Sequence, residues 1–507
     1  MVAAGHRESA RAGAAILARG GNAVDAVCAA ACAAAVAESP LTGPGAGGFL
    51  LARSPQGTAT LLDFFVAVPG LGPGGRRLDP AELDVFTVPF GDAEQVFHIG
   101  SPSVAVPGMI PGLVTAIERL GSLPLADIVA PAMALATDGV VVTPEVAYVY
   151  EILTAMLMHT PEASEIFAPY GRILRAGERV RIPGLADTFA EIARVGASPL
   201  RDGPLAQALV DHLDRTGGLV TADDLTGYAV IERIPLQVSH GQVTLLTNPP
   251  PSSGGVLIAA ALAAVNGALV SDDVGYYCQV AGAGAAANAL RDEGFAAGLH
   301  GPGFAEQFLT RAAPSRKPTG TTHASAVDAQ GGMASLSSSC GSGSGVVVPG
   351  TGILLNNMLG EQDINPGGFG RMTPGVRMSS MMAPTVITRG GEPVVALGSA
   401  GSNRLRSAIL QTVVSVVDAG WDLPAAINRA RVHAEGGQLE VEGGISDQVV
   451  AALAADGHVI HRWGDRNLFF GGVAAAGFGP HGLTGAGDPR RGGAAVGVTA
   501  AGQVIDL

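Results

Sequence analysis

Lysine is almost missing from this sequence: Lys317 is the only one among 507 residues, and every other basic side chain is arginine or histidine. Aromatic residues make up 5%, and cysteine occurs four times, at 28, 32, 278 and 340. Positive charge is in deficit, with a formal net charge of -14 at pH 7. Each shortage excludes something. A chain without a basic footprint cannot displace counterions from phosphate, so no nucleic-acid partner is expected. Cys28 and Cys32 stand four apart in an alanine-rich stretch, and no other Cys or His pair completes a set of four ligands. They read as small, buried and inert, and no metal or cofactor is expected. The most apolar spans, 26–37 and 256–265, are too short to cross a bilayer, so no membrane partner is expected. MVAAGHRESARAG has no basic-then-apolar export pattern, and a cytoplasmic location follows as the expectation.

What the sequence does have is 73 glycines, 33 prolines and 47% hydrophobic residues, the composition of a globular chain packed through small side chains and tight turns. Helical spacing over 8–19 ends at Gly20-Gly21, and Asn22 is placed to cap a helix over 23–37. FLLARSPQGTATLLDFF reads as a hairpin around Pro55-Gln56-Gly57. Helical patterns recur at 108–120, 124–138, 185–196 and 204–215. The run from Thr221 to Pro249 reads as extended strands, and the rigid 249–255 loop feeds a helix over 256–265. After 315 the texture changes to paired strands, with a hairpin at Arg389-Gly390-Gly391, a helix over 405–418 and short strands to the end. Two stacked sheets flanked by helices is the fold class this predicts.

One segment carries chemistry. Gly320-Thr321-Thr322-His323 lies directly ahead of a β-run. A threonine hydroxyl is a weak nucleophile unless a base lies beside it, and a threonine at a chain's N-terminus carries one, its own α-amine. That amine titrates near pH ~8, so a neutral fraction exists at physiological pH. The requirement is a cut between Gly320 and Thr321, and glycine tolerates the distorted peptide that an N-to-O acyl shift needs.

Ten pieces, in order along the chain, carry a resemblance. They are GGNAVDAVCAA (20–30), GPGAGGFLL (43–51), AVPGMIPGL (105–113), PLADIVAPAMALATDG (124–139), PPPSSGG (249–255), TTHASAVDAQG (321–331), TGILLNN (351–357), RMSSMMAPT (377–385), GSAGSNR (398–404) and DPRRGGAAVG (488–497). In these the chain resembles the gamma-glutamyltransferase (gamma-glutamyltranspeptidase) family of N-terminal-nucleophile (Ntn) hydrolases. The resemblance implies an α+β fold, a four-layer αββα sandwich of two antiparallel sheets flanked by helices. It also implies a precursor cut into a large subunit, 1–320, and a small subunit, 321–507, that stay together as a heterodimer.

The resemblance further implies site residues. Thr321 is the nucleophile, supported by a hydroxyl at Ser339 on the neighbouring strand. The main-chain amides of Gly401 and Ser402 form the oxyanion hole. Ser379 and Ser380 hold a substrate carboxylate, and Glu361, with Asp363 as the alternative, binds its α-amine. At four positions the chain departs from the family, one being Ser402 in place of a usual second glycine. The arginine that reads a γ-glutamyl carboxylate is matched by Phe65, with Arg76 and Arg77 nearby in sequence as candidate substitutes. The asparagine expected near 341 is missing, and a usual glutamine is Met358. An aromatic ring cannot replace a bidentate guanidinium.

The expected activity is therefore cleavage or transfer of an acyl group from a small-molecule amide, to water or an amine acceptor, through an acyl-Thr321 ester. A glutaryl- or cephalosporin-type acylase with a non-glutamyl substrate is the variant the altered shell suggests. An unprocessed, non-catalytic binding protein is the competing reading. For a metal-dependent amidase His323 is the best ligand candidate, and a strand-packing role for it is the simpler expectation.

Overall fold

The computed structural model describes residues 1–90, 93–265, 272–291, 293–309, 321–365 and 367–507. The first helix runs Arg7–Ala18 and gives way to Gly20 at φ +89°, a conformation that favours glycine. Asn22 caps the second helix, Ala23–Ala37, in a capping box closed by Asp25. All fifteen residues of this helix are buried, and no side chain on it is larger than valine. The two helices lie close enough that a Cβ on Gly13 would sit 2.7 Å from the carbonyl oxygen of Ala26.

Two antiparallel sheets form the centre. The larger has eight strands, in the order 504–506, 494–498, 2–4, 322–327, 333–339, 47–53, 59–64 and 231–233. The smaller has six, in the order 482–487, 472–479, 392–400, 385–389, 243–247 and 236–240. Thr322–Val327 packs across onto Glu392–Ala400 and Gly472–Gly479, so the sheets face each other. Helices Arg7–Ala18 and Ala23–Ala37 cover the outer face of the larger sheet, and Arg404–Val417 covers that of the smaller.

Strand side chains alternate between faces, and in the central strands both faces are buried. Leu50 and Leu62 join the core under the helices, whereas Phe49, Leu51 and Leu61 join the core that includes the second sheet. The serine-rich strand Met333–Ser339 uses its hydroxyls to bridge the sheets. Ser335 Oγ donates to Leu397 O at 2.9 Å and accepts from Thr385 N at 3.1 Å.

The eight-stranded sheet is mixed in origin. Four of its strands lie before residue 321 and four after, and Thr322–Val327 sits between Val2–Ala4 and Met333–Ser339.

Several sequence expectations change. Residues 222–227, expected as extended, form a short helix, because Thr221 and Asp224 make a capping box. The helix expected at 256–265 begins at Ser253, inside the supposed loop. Between the 405–418 pattern and the C-terminus the expectation was strands alone, but helices Leu423–Asn428 and Asp447–Ala455 intervene, each started by a capping side chain, Asp422 and Ser446. Among the described residues no helix is long and apolar enough to cross a membrane.

Candidate active site

Thr321 opens the Thr322–Val327 strand and is 4% exposed. Gly320 lies outside the described residues. The register pairs Thr322 with Ser338, so one step back Thr321 falls opposite Ser339. Ser339 in turn pairs with Gly47 on its other side, and its Oγ accepts from Gly341 N at 2.7 Å. Over Gly47 lies the main chain of Phe65 and Val66: a Cβ on Gly47 would be 2.6 Å from Val66 N. Glycine at 47 is what lets the chain just past the 59–64 strand approach this closely beside the Ser339 pairing.

Ala400, the last residue of its strand, lines the same cavity as Thr321, along with Gly472, Glu38 and Arg491. The next two residues turn the chain into the Arg404–Val417 helix. Gly401 has φ +110° and Ser402 φ +57°, the only non-glycine with positive φ among the described residues. A left-handed serine costs about 1–2 kcal/mol, the kind of strain that persists at functional sites when the surroundings impose it. Among the described residues neither N–H of this turn donates to a protein acceptor. Only main-chain N–H groups are needed in an oxyanion hole, so the serine side chain is not itself an obstacle.

Ser379 and Ser380 sit on a strand-like segment that the 249–255 loop holds in place. Ser253 N donates to Ser380 O at 2.7 Å, and Ser253 Oγ does so at 3.1 Å. Met378 N donates to Val66 O at 3.1 Å, which sets this segment beside Phe65. The two hydroxyls differ in use. Ser380 Oγ accepts locally from Met382 N at 3.1 Å, whereas Ser379 Oγ meets His300 Nε2 at 3.2 Å. Burial and the nearby Arg233 lower the His300 pKa.

Phe65 is 1% exposed and stacks on Phe49 with centroids 5.5 Å apart. Its carbonyl accepts from Tyr228 OH at 2.7 Å and from Arg377 Nη1. Two arginines near this position are already engaged: Arg233 Nε donates to Asp63 Oδ2 at 2.7 Å, and Arg377 Nε lies 3.2 Å from Asp63 Oδ1. Arg76 donates to Glu82 at 2.6 Å and to Gly217 O at 2.5 Å. Arg77 borders a separate hollow with Pro69, Leu219 and Met372.

Glu361 is 2% exposed. Its carboxyl lies against Gly341, where a Cβ would come 2.6 Å from Oε1. Glycine at 341, with φ +70°, thus stands where the asparagine was expected, and leaves room for Glu361 and Asn357 to close in. Asn357 accepts from Ser342 N at 3.0 Å and donates to Ser342 Oγ at 2.9 Å. Asp363 is tied to the Gly401–Ser402 turn through Asn403, whose Nδ2 donates to Asp363 at 3.4 Å and to Glu435 at 2.8 Å. Burial, with Glu435 nearby, pushes the Asp363 carboxyl well above its usual range. Burial also pushes Glu435 up, but the hydrogen bond from His433 and the charges of Arg406 and Arg291 outweigh it and bring Glu435 to about 2.

Two groups behave in ways the sequence did not disclose in full. His323 lies between the sheets, bonded to Ser337 Oγ at 2.8 Å and Ser325 Oγ at 2.9 Å, in space that Gly398 opposite leaves open. Burial lowers its pKa to about 3, so it is a neutral packing group, as its simpler reading expects. Glu38 was not singled out by sequence reasoning. It accepts from Thr322 Oγ1 beside Thr321, and its one sequence signal is a glutamate just past an alanine helix and before Ser39-Pro40. Among the described residues no cluster of three potential metal ligands occurs.

Comparison with known proteins now bears on this geometry. The sequence model of Gamma-glutamyltranspeptidase matches residues 9–295 and 299–498. The Acylase ACY 1 proenzyme of Pseudomonas sp. (strain V22) is 32% identical, the alignment covering 96% of this chain and 91% of that one. The Glutathione hydrolase proenzyme of Escherichia coli (strain K12) is 29% identical over 97% of this chain and 90% of its own length. Among solved structures, cephalosporin acylase from Bacillus halodurans superposes with a TM-score of 0.81 at 26% identity, over 99% of this chain and 95% of that one. The curated relatives are named as acylase and glutathione hydrolase proenzymes, and the chain belongs to the gamma-glutamyltranspeptidase family of enzymes.

Proposed function

We propose that this enzyme is a self-processing acylase that hydrolyses or transfers a non-glutamyl acyl group through an ester on Thr321. The observation that carries it is the position of Thr321 at the head of a central strand of the larger sheet, opposite Ser339 and in one cavity with the residue preceding the Gly401–Ser402 turn. In this reading the fold is a four-layer αββα sandwich. Cleavage after Gly320 yields chains of 1–320 and 321–507. Both contribute four strands to the larger sheet, so the products remain a heterodimer without any added contact.

The reaction then runs on groups already placed. The freed α-amine of Thr321 takes the hydroxyl proton as Oγ attacks the amide carbonyl. The N–H groups of Gly401 and Ser402 face the developing oxyanion. Collapse expels the amine, which leaves with the proton, and an ester remains. Water or an acceptor amine, deprotonated by the same α-amine, releases the acyl group. Ser379, Ser380 and Glu361 position the substrate around this centre.

The acyl preference rests on Phe65. Its ring offers no charge, and Arg233, Arg377 and Arg76 are committed to Asp63 or Glu82. A γ-glutamyl carboxylate therefore lacks its clamp, as would the matching carboxylate of a glutaryl group, and an acyl group without a charged end is favoured.

Intact mass of the denatured wild type beside Thr321→Ala tests the nucleophile. Two chains in the wild type and one in the variant are expected; a wild type that stays whole for days moves the binding-protein reading to the front. Turnover of γ-glutamyl-p-nitroanilide and the uncharged butyryl-p-nitroanilide then tests the preference, and a faster γ-glutamyl rate contradicts it.

A further inference from the structure

The cavity beside Thr321 holds a carboxyl group that the reaction above does not use. Glu38 ends the Ala23–Ala37 helix and is 7% exposed. Its Oε2 accepts from Thr322 Oγ1, and its Oε1 accepts from Ser9 Oγ at 2.8 Å. Gly5 packs directly against this pair, where a Cβ would be 3.1 Å from Thr322 Oγ1. Three separate stretches of chain thus close on one acid, and its partner is the residue next to the nucleophile.

Strand side chains alternate between faces. His323 points toward the second sheet, onto Gly398, and Thr322 points toward the helices, onto Glu38. The main-chain nitrogen of Thr321 lies at the head of the strand, between these faces. The cavity takes in Glu38 and Thr322 from one face and His323 and Ala400 from the other, so it wraps that strand head.

The other titratable groups that face this space do not neutralise it. Asp488 is bound to Arg431 at 2.6 Å and to Arg490 at 3.1 Å. His323 stays neutral. Glu145 also lines the cavity. His6, which caps the Arg7–Ala18 helix, has its pKa lowered by burial, with Glu145 acting in the opposite sense. Arg491 donates to Leu468 O at 3.2 Å and is the cation nearest Glu38 within the cavity. Burial raises the Glu38 carboxyl, while the two hydroxyl donors and Arg491 hold it toward the ionised form.

We infer that Glu38 is a positioning residue for the Thr321 α-amine: it fixes the strand head through Thr322, and its charge sets the pH at which that amine turns basic. The inference rests on Thr321 being the nucleophile of a cleaved chain. A carboxylate nearby favours the ammonium form, so removing it lets the amine lose its proton at lower pH.

The sequence supplies an unusually clean readout. Lys317 is the only lysine, so the 321–507 chain has one amine, the α-amine of Thr321. The rate at which cyanate adds a carbamoyl group to that chain, followed by mass across pH, titrates this amine without any substrate. In cleaved Glu38→Gln the midpoint is expected to fall by about one pH unit, roughly tenfold faster labelling on the acid side. Ser9→Ala, which leaves the nucleophile strand untouched and removes one donor from Glu38, is expected to shift it less, in the same direction. A merely structural Glu38 lowers thermal stability and leaves both midpoints in place, and that result overturns the inference. If Glu38→Gln does not cleave, Ser9→Ala decides alone. A wild type that never cleaves ends the nucleophile reading and this inference together; a cleaved wild type with unmoved midpoints ends this inference only.

Discussion

Around Thr321 the groups proposed to work are main-chain amides and short hydroxyls, while around Phe65 and Glu361 they are long side chains. The first region is set by sheet register and by one turn: Thr322 pairs with Ser338, Ser339 with Gly47, and the chain bends at Gly401–Ser402. The second depends on which atoms reach into a pocket. There this chain places an aromatic ring and a glycine where the family resemblance led us to expect an arginine and an asparagine. Geometry that the backbone holds survives divergence because changing it disrupts the sheet. Recognition held by side chains changes with single substitutions, so chemistry and specificity separate along this line.

Breaking the backbone side should cost the most. Gly401→Ala puts a Cβ 2.8 Å from Gly471 Cα at a position with φ +110°. A loss of about 10²–10³ in kcat, the scale of a misplaced oxyanion donor, is expected with KM little changed. A kcat within threefold of wild type removes the turn from the mechanism.

The side-chain region is sharpened by Phe65→Arg. Restoring the family residue should fail, because the ring it replaces stacks on Phe49 in the core. Lost packing with a buried, uncompensated cation is expected to cost roughly 3–5 kcal/mol, read as a drop in the denaturant midpoint. Gain of γ-glutamyl-p-nitroanilide turnover in a stable protein is the opposite result, and it would show that the site accepts a guanidinium without loss of the core.

Between the two regions His323 offers a pH test. Its folded pKa, about 3, lies below its unfolded value, so the unfolded chain binds the extra proton. Its contribution is therefore present above an unfolded pKa of about 6.5 and lost as pH falls toward 3, at roughly 1 kcal/mol per unit. His323→Gln should flatten the fall of Tm between neutral and mildly acidic pH, and an unchanged slope sinks the assignment.

The smallest effect is expected at Ser402→Gly. It relieves left-handed strain and removes a buried hydroxyl without a partner, against the backbone entropy that glycine adds. A net gain of about 1 kcal/mol is expected in denaturant unfolding, with activity within a few-fold.

Legibility followed the range of the interactions. The Asn22 cap, the Gly20 stop and the hairpin from Gly47 to Phe64 were readable because their causes lie within a few residues. The 222–227 helix had a readable capping box, Thr221 with Asp224, that the strand-like run after it obscured. The partnership of His300 with Ser379 was not readable, since a lone histidine in GLHGPG points at nothing by itself.

By itself the sequence determined the alternation that buries both faces of the central strands, the helix starts with local caps, and the single lysine that leaves the 321–507 segment without a side-chain amine. Tertiary structure alone decided that Arg377 and Arg233 are engaged with Asp63, that Gly341 makes room for the Glu361 carboxyl, and that Glu38 meets Thr322. These contacts join residues as far as 314 positions apart. No local pattern encodes them, because they arise only when two sheets and their covering helices bring distant segments to the same strand ends.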